Sequence, residues 1–109
     1  MSDDLGTLGR YAGPATLILS SLAGGAKHGY ALMQDIEGFA GVTLRPGTLY
    51  GALSRLEAME LIESLEGDGR RRPYRLTHAG AVALQSQLAA QRKVADVGLK
   101  RLRTTGVTA

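Results

Sequence analysis

From Ala79 to about Arg103 the chain is built chiefly of alanine, leucine, glutamine, valine, lysine and arginine, without a proline, and Thr77 stands ahead of it as a good N-cap. A helix over this stretch is about 40 Å long. Ala81, Leu84, Leu88, Ala95 and Leu102 form a partial heptad, with Gln91 and Gly98 in the intervening core slots and Val94, Val97 and Leu99 widening the face. The rest of the 109 residues makes a body of roughly 75, one ordinary domain, which such a helix outreaches. Its uncovered face predicts a homodimer, with Leu84, Leu88, Ala95, Leu99 and Leu102 at the seam and Arg92, Lys93, Lys100, Arg101 and Arg103 around it. Small residues there suit close helix approach, and an N-terminal helix of the second copy can join the contact.

Ahead of this helix the apolar spacing predicts three more. Pro14 suits a first helical turn, and Ala15, Ile18, Leu19 and Leu22 follow at helical spacing up to Gly24-Gly25. Tyr30 to Phe39 places Leu32, Met33, Ile36 and Phe39 on one side, with Gln34, Asp35 and Glu37 on the other. Pro46 opens a third helix whose Leu49, Ala52, Leu53 and Leu56 make an apolar stripe, opposite Thr48, Tyr50, Ser54, Arg55 and Glu57. Around Leu61 the period changes. Leu61 to Leu65 is strand-like, Glu66-Gly67-Asp68-Gly69 is a turn cluster, and Pro73 to Leu76 returns as a second strand. Thr104 to Ala109 is expected to fray. The order predicts a mainly α chain with a small β-hairpin: a winged helix-turn-helix followed by a long C-terminal dimerisation helix.

Composition excludes several alternatives. With 44% hydrophobic and 21% charged residues the chain is globular rather than disordered, and having no cysteine it lacks disulfides and thiolate chemistry. The longest apolar run, near Ala15 to Ala23, falls short of a membrane span, and the Ser2-Asp3-Asp4 start does not resemble a signal peptide. A cytoplasmic protein with no membrane partner is expected. The net charge of +3 hides a division. Residues 1–69 carry four basic and nine acidic side chains, net −5, whereas residues 70–109 carry nine basic side chains against Asp96, net +8. Attraction for a polyanion is concentrated in the last 40 residues.

Three ordered segments then discriminate further: His28-Gly29-Tyr30-Ala31-Leu32; Gly47-Thr48-Leu49-Tyr50 with Leu53 to Glu57 and Leu61-Ile62; and Arg70-Arg71-Arg72-Pro73-Tyr74-Arg75-Leu76-Thr77 with Gly80. Over roughly residues 14–80 they resemble the PadR-like family of transcriptional regulators, in its compact branch with a short C-terminal part. The resemblance implies a homodimeric winged-helix repressor on palindromic operator DNA. Residues 1–76 then form the DNA-binding part with its N-terminal helix and 77–109 the dimerisation helix and tail, together one structural unit. Two positions depart from the family pattern. Glu60 stands where glycine usually precedes Leu-Ile, so the helix exit needs a left-handed residue with a side chain or another path. Gly51 replaces a frequent proline, and either lets DNA approach closely or is merely tolerated.

The DNA-contact candidates are Tyr30, Arg45, Thr48, Tyr50, Ser54, Arg70, Arg71 and Arg72. Thr48, Tyr50 and Ser54 lie away from the leucines, where hydroxyls bond phosphates or base edges, although the Tyr50 ring can equally pack on the helical trio. Arg45 stands at the entrance of the third helix, whereas Arg55 can pair with nearby acids. The three wing arginines suit phosphates or a narrow minor groove, but strand alternation keeps them from all pointing one way. Tyr30 begins the second helix, where a phosphate can meet the positive helix end. His28 reads as a cap, Leu76 as core, and Tyr74 is open between the two faces. His28 and His78 have no carboxylates at ligand spacing, so no metal is expected, and no cofactor either. Gly24 to Gly29 lacks the ending of a phosphate-binding loop, Gly67-Asp68-Gly69 lacks a dinucleotide fingerprint, and no catalytic constellation can be assembled. The alternative reading is a winged-helix interaction module that holds an acidic protein. A small-molecule effector is left open, its identity unreadable.

Overall fold

The computed structural model describes residues 13–67 and 72–106. It contains helices α1 (Gly13–Leu22), α2 (Gly29–Ala40) and α3 (Pro46–Ala58), strands β1 (Ile62–Ser64) and β2 (Tyr74–Leu76), and helix α4 (His78–Thr104). This is the expected winged helix-turn-helix with a long last helix. The two strands pair as an antiparallel hairpin in which Ile62 faces Leu76 and Ser64 faces Tyr74; Asp68 and Gly69 of the expected turn lie outside the described residues. Thr77 caps α4 as its sequence position predicts, its hydroxyl accepting from the Gly80 N–H at 3.0 Å.

Ile18, Leu32, Ile36, Leu49, Leu53 and Ile62 are the largest fully buried side chains. The α3 stripe of Leu49, Ala52, Leu53 and Leu56 is buried throughout. In α1 the burial is wider than the spacing predicts: Ala15 is exposed, while Thr16, Leu17 and Ser21 are buried beside Ile18, Leu19 and Leu22. The reason is position, because α1 packs against α2, α3, β2 and α4 at once. Phe39, expected in the core, is exposed at the last turn of α2. Asp35, expected to face solvent, is half-buried and accepts the Ser21 hydroxyl at 2.6 Å, which satisfies that buried polar group.

Glu60 takes the left-handed path, with φ +62°. Its N–H donates to the Glu57 carbonyl at 2.9 Å and that of Leu61 to the Leu56 carbonyl at 3.0 Å, the paired bonds of a Schellman exit. A side chain in this conformation costs about 1–2 kcal/mol, of which glycine's greater unfolded-state entropy would recover part. Glu60→Gly is therefore expected to stabilise the chain by about 1 kcal/mol, raising the thermal midpoint by roughly 4–8 °C in a calorimetric scan. Gly51, by contrast, has room for a methyl, which would lie 3.8 Å from the Arg55 guanidinium in ordinary contact.

Only Gly80 and Leu84 are buried in α4. Leu84, expected at the seam, instead completes the chain's own core. Beyond it Leu88, Val94, Val97, Leu99 and Leu102 are exposed, and the molecule measures 55 × 26 × 24 Å. Among the described residues, no helix is long and apolar enough to cross a membrane.

Candidate nucleic-acid interface

Burying one stripe of α3 leaves the other face to solvent. Pro46 opens the helix, and Arg45, extended at φ −78° and ψ 152°, is its N-cap residue, with no side-chain bond to the helix end. Its side chain is exposed. Thr48, Tyr50, Ser54 and Arg55 are all exposed on the same helix. Among the described residues, ion pairs join Lys27 to Asp35 and Arg75 to Glu63, so the expected pairing of Arg55 with an acid is not seen there.

At the start of α2, His28 is the N-cap, its Nδ1 accepting from the Ala31 N–H at 3.5 Å. Tyr30 projects from the first turn, 62% exposed, with its hydroxyl accepting from the Gln34 amide at 3.1 Å. Tyr50 remains 41% exposed although the hydroxyl end of its ring lies against Gly29. The ring thus packs on its own chain and still presents surface outward.

The hairpin stands beside this face. Arg72 is exposed, and its guanidinium lies 3.5 Å from the Ser64 hydroxyl, which donates to the Glu57 carboxylate at 2.9 Å. Arg75 points to the other side of the strand and pairs with Glu63 at 2.7 Å across the hairpin. Its charge is thereby partly neutralised, although an exposed pair of this kind contributes little to stability. Arg70 and Arg71 lie outside the described residues. Tyr74 is half-buried against the core. Burial, with the Glu57 carboxylate adding to it and Arg72 opposing, raises its hydroxyl pKa above the ordinary 10.0.

Sequence reasoning missed Lys27. Its backbone pairs with Tyr74 in both directions, N–H to carbonyl at 3.1 and 2.9 Å, adding a single-residue third strand to the wing. Its ammonium donates to the Ser21 carbonyl at 2.6 Å near the end of α1 and lies 3.9 Å from the Asp35 carboxylate. One residue thus ties α1, α2 and the wing together. A one-residue bridge has no periodicity by which to be found; the only cue was a lysine just after a glycine break. Among the described residues, no group of three or more histidine or acidic side chains gathers in a way that could hold a metal ion.

The model of the transcriptional regulator PadR-like family matches residues 18–86, which is more than half of the chain and runs from within α1 through α2, α3 and the hairpin to the first part of α4. The chain belongs to the PadR-like family. A PadR-family transcriptional regulator from Eggerthella lenta DSM 2243 shares the fold at a TM-score of 0.74 and 31% identity, over 94% of this chain and 88% of that one. Two curated relatives match about 70 residues. The uncharacterized 37.1 kDa protein in transposon TN4556 of Streptomyces fradiae is 51% identical over 65% of this chain and 21% of its own length. The transcriptional regulator Rv3488 of Mycobacterium tuberculosis is 46% identical over 62% of this chain and 64% of its own. The chain thus spans less than two thirds of the length of either relative. PadR-family members are transcription regulators.

Proposed function

We propose that the chain is a repressor that binds palindromic operator DNA as a homodimer, α3 entering the major groove and the wing following the backbone or minor groove. One observation carries the reading: the face of α3 turned away from the core presents Arg45, Thr48, Tyr50 and Ser54 to solvent on the same domain as the exposed wing arginine Arg72. Hydroxyls and guanidinium groups on such a face bond phosphates and base edges. Arg70 and Arg71 extend the same basic run in the sequence. The homodimer reading is supported by the uncovered apolar face of α4, at Leu88, Ala95, Leu99 and Leu102. Between α4 and the end of α1 lies an open groove of about 860 Å³ with Ala23, Leu76 and Leu88 among its lining. A second copy lying along this groove would cover its apolar lining.

The test is binding to duplex from the gene's own promoter region against unrelated duplex, across a salt series. Affinity should fall steeply with salt. Replacing Arg70, Arg71 and Arg72 together by alanine should weaken binding to all sequences and flatten the salt slope by up to about 3. Thr48→Ala or Ser54→Ala should instead change which sequence is preferred. Equal affinity for every duplex at low salt would remove the operator reading. An interaction module for an acidic protein would keep that partner in excess duplex DNA, whereas a DNA-binding regulator would release it.

A further inference from the structure

Gly29 is the first residue of α2 and is buried, yet its backbone is not among those with positive φ, so no turn there requires glycine. What requires it is space. A β-carbon on Gly29 would overlap the Tyr50 hydroxyl and come within 2.8 Å of the ring carbon that bears it and 3.3 Å of the neighbouring ring carbon. Glycine weakens a helix relative to alanine, and here that loss coincides with a side chain from another helix filling the vacant volume.

We propose that Gly29 is a positioning residue for DNA contact: its missing side chain is the seat that fixes the Tyr50 ring across the junction of α2 and α3. The proposal rests on the DNA-binding reading above and adds how one of its contacts is held. A tyrosine on a solvent-facing helix ordinarily samples several rotamers and loses that freedom on binding. Seated on Gly29, Tyr50 is ordered beforehand while remaining 41% exposed. The seat lies two residues after Lys27, whose backbone is paired to Tyr74, so α2, α3 and the wing are braced at one place. The two glycine-tyrosine motifs of the sequence, His28-Gly29-Tyr30 and Gly47-Thr48-Leu49-Tyr50, thus meet in space through the glycine of one and the tyrosine of the other.

The experiment uses a fluorescent duplex selected from a random pool by the wild-type protein, and measures its affinity for wild type, Gly29→Ala, Tyr50→Ala and the double variant. Loss of the seated Tyr50 contact to DNA should weaken binding about tenfold in each single variant. The double variant should bind no more weakly than Tyr50→Ala, because Gly29 acts only through Tyr50. In the free protein, the Gly29 α-protons should show a ring-current shift in NMR spectra that disappears in Tyr50→Ala. Wild-type affinity in Gly29→Ala, losses that multiply in the double variant, or no ring-current shift would overturn the assignment while leaving DNA binding intact. A wild-type protein that selects no duplex would overturn the DNA-binding reading and this assignment with it. Should Gly29→Ala fail to fold, the double variant, in which the overlap is gone, should fold and decides together with the ring-current shift: affinity equal to that of Tyr50→Ala supports the seat's role and a further loss overturns it.

Discussion

Gly80→Ala is expected to destabilise the chain by about 3 kcal/mol, lowering its thermal midpoint by more than about 10 °C. Gly80 lies in the first turn of α4, where a methyl group would overlap the Leu61 carbonyl oxygen, reach 2.9 Å from its carbon, and press on a Leu76 methyl at 3.1 Å. A flexible side chain could swing aside, but the Leu61 backbone is held on both sides. Its N–H donates to Leu56 at the exit of α3, and its carbonyl accepts from Thr77 at 3.1 Å. The Thr77 hydroxyl adds a bond to the Glu60 carbonyl at 2.7 Å. To admit one methyl, α4 must therefore lift from the hairpin and loosen Leu84 in the core. The helix-propensity gain of alanine, about 1 kcal/mol, offsets only part of this. Gly38→Ala is the control: Gly38 is an exposed α2 residue with nothing within contact of an added methyl, so that substitution should raise stability. Urea unfolding of both variants at one protein concentration checks the pair. Equal stability of Gly80→Ala and wild type would show that the hairpin and α4 are not locked as described.

The difference between those two glycines marks how far the sequence could be read. Local regularities were legible. Leu49, Ala52, Leu53 and Leu56 follow helical spacing in a helix with one buried side, and all four are inside. The Thr77 cap rests on local side-chain and backbone chemistry, which sequence carries directly. The reading weakened where burial was decided by several neighbours. In α1, packed on four elements, Thr16, Leu17 and Ser21 joined the core and Ala15 did not. Ser21 is acceptable there because the carboxylate of Asp35, 14 residues away, accepts a hydrogen bond from its hydroxyl, a match that no window of sequence displays. The same holds at the candidate interface. Exposure of Thr48 and Ser54 followed from spacing, but the seat of Tyr50 on Gly29 and the strut through Lys27 join residues from different elements. Glu60 lay between these cases: the motif marked the position as one for glycine, and the backbone shows the left-handed turn that glycine would serve.

Converting Leu99 and Leu102 to glutamate is expected to leave each copy folded and to abolish its self-association, and with it most of the operator affinity. Neither leucine touches the core; they are 55% and 48% exposed, on a helix whose last buried residue is Leu84. In a dimer these side chains would leave water against a second α4, at about 25 cal/mol per Å² of apolar area removed. Two carboxylates in that seam would have to be desolvated in each copy, a penalty that surface leucines do not carry. Sedimentation should give twice the 11.5 kDa chain mass for the wild type and the single mass for the variant. On a duplex with two half-sites, the loss of linked binding should weaken affinity by at least about a hundredfold, while affinity for a single half-site should stay nearly constant. That contrast separates a dimer seam from direct DNA contact by the last helix, because the latter would weaken both duplexes equally. A wild-type protein that sediments at the single-chain mass in the micromolar range would sink the seam. It would leave the exposed Leu88, Val94 and Val97 for a different apolar partner.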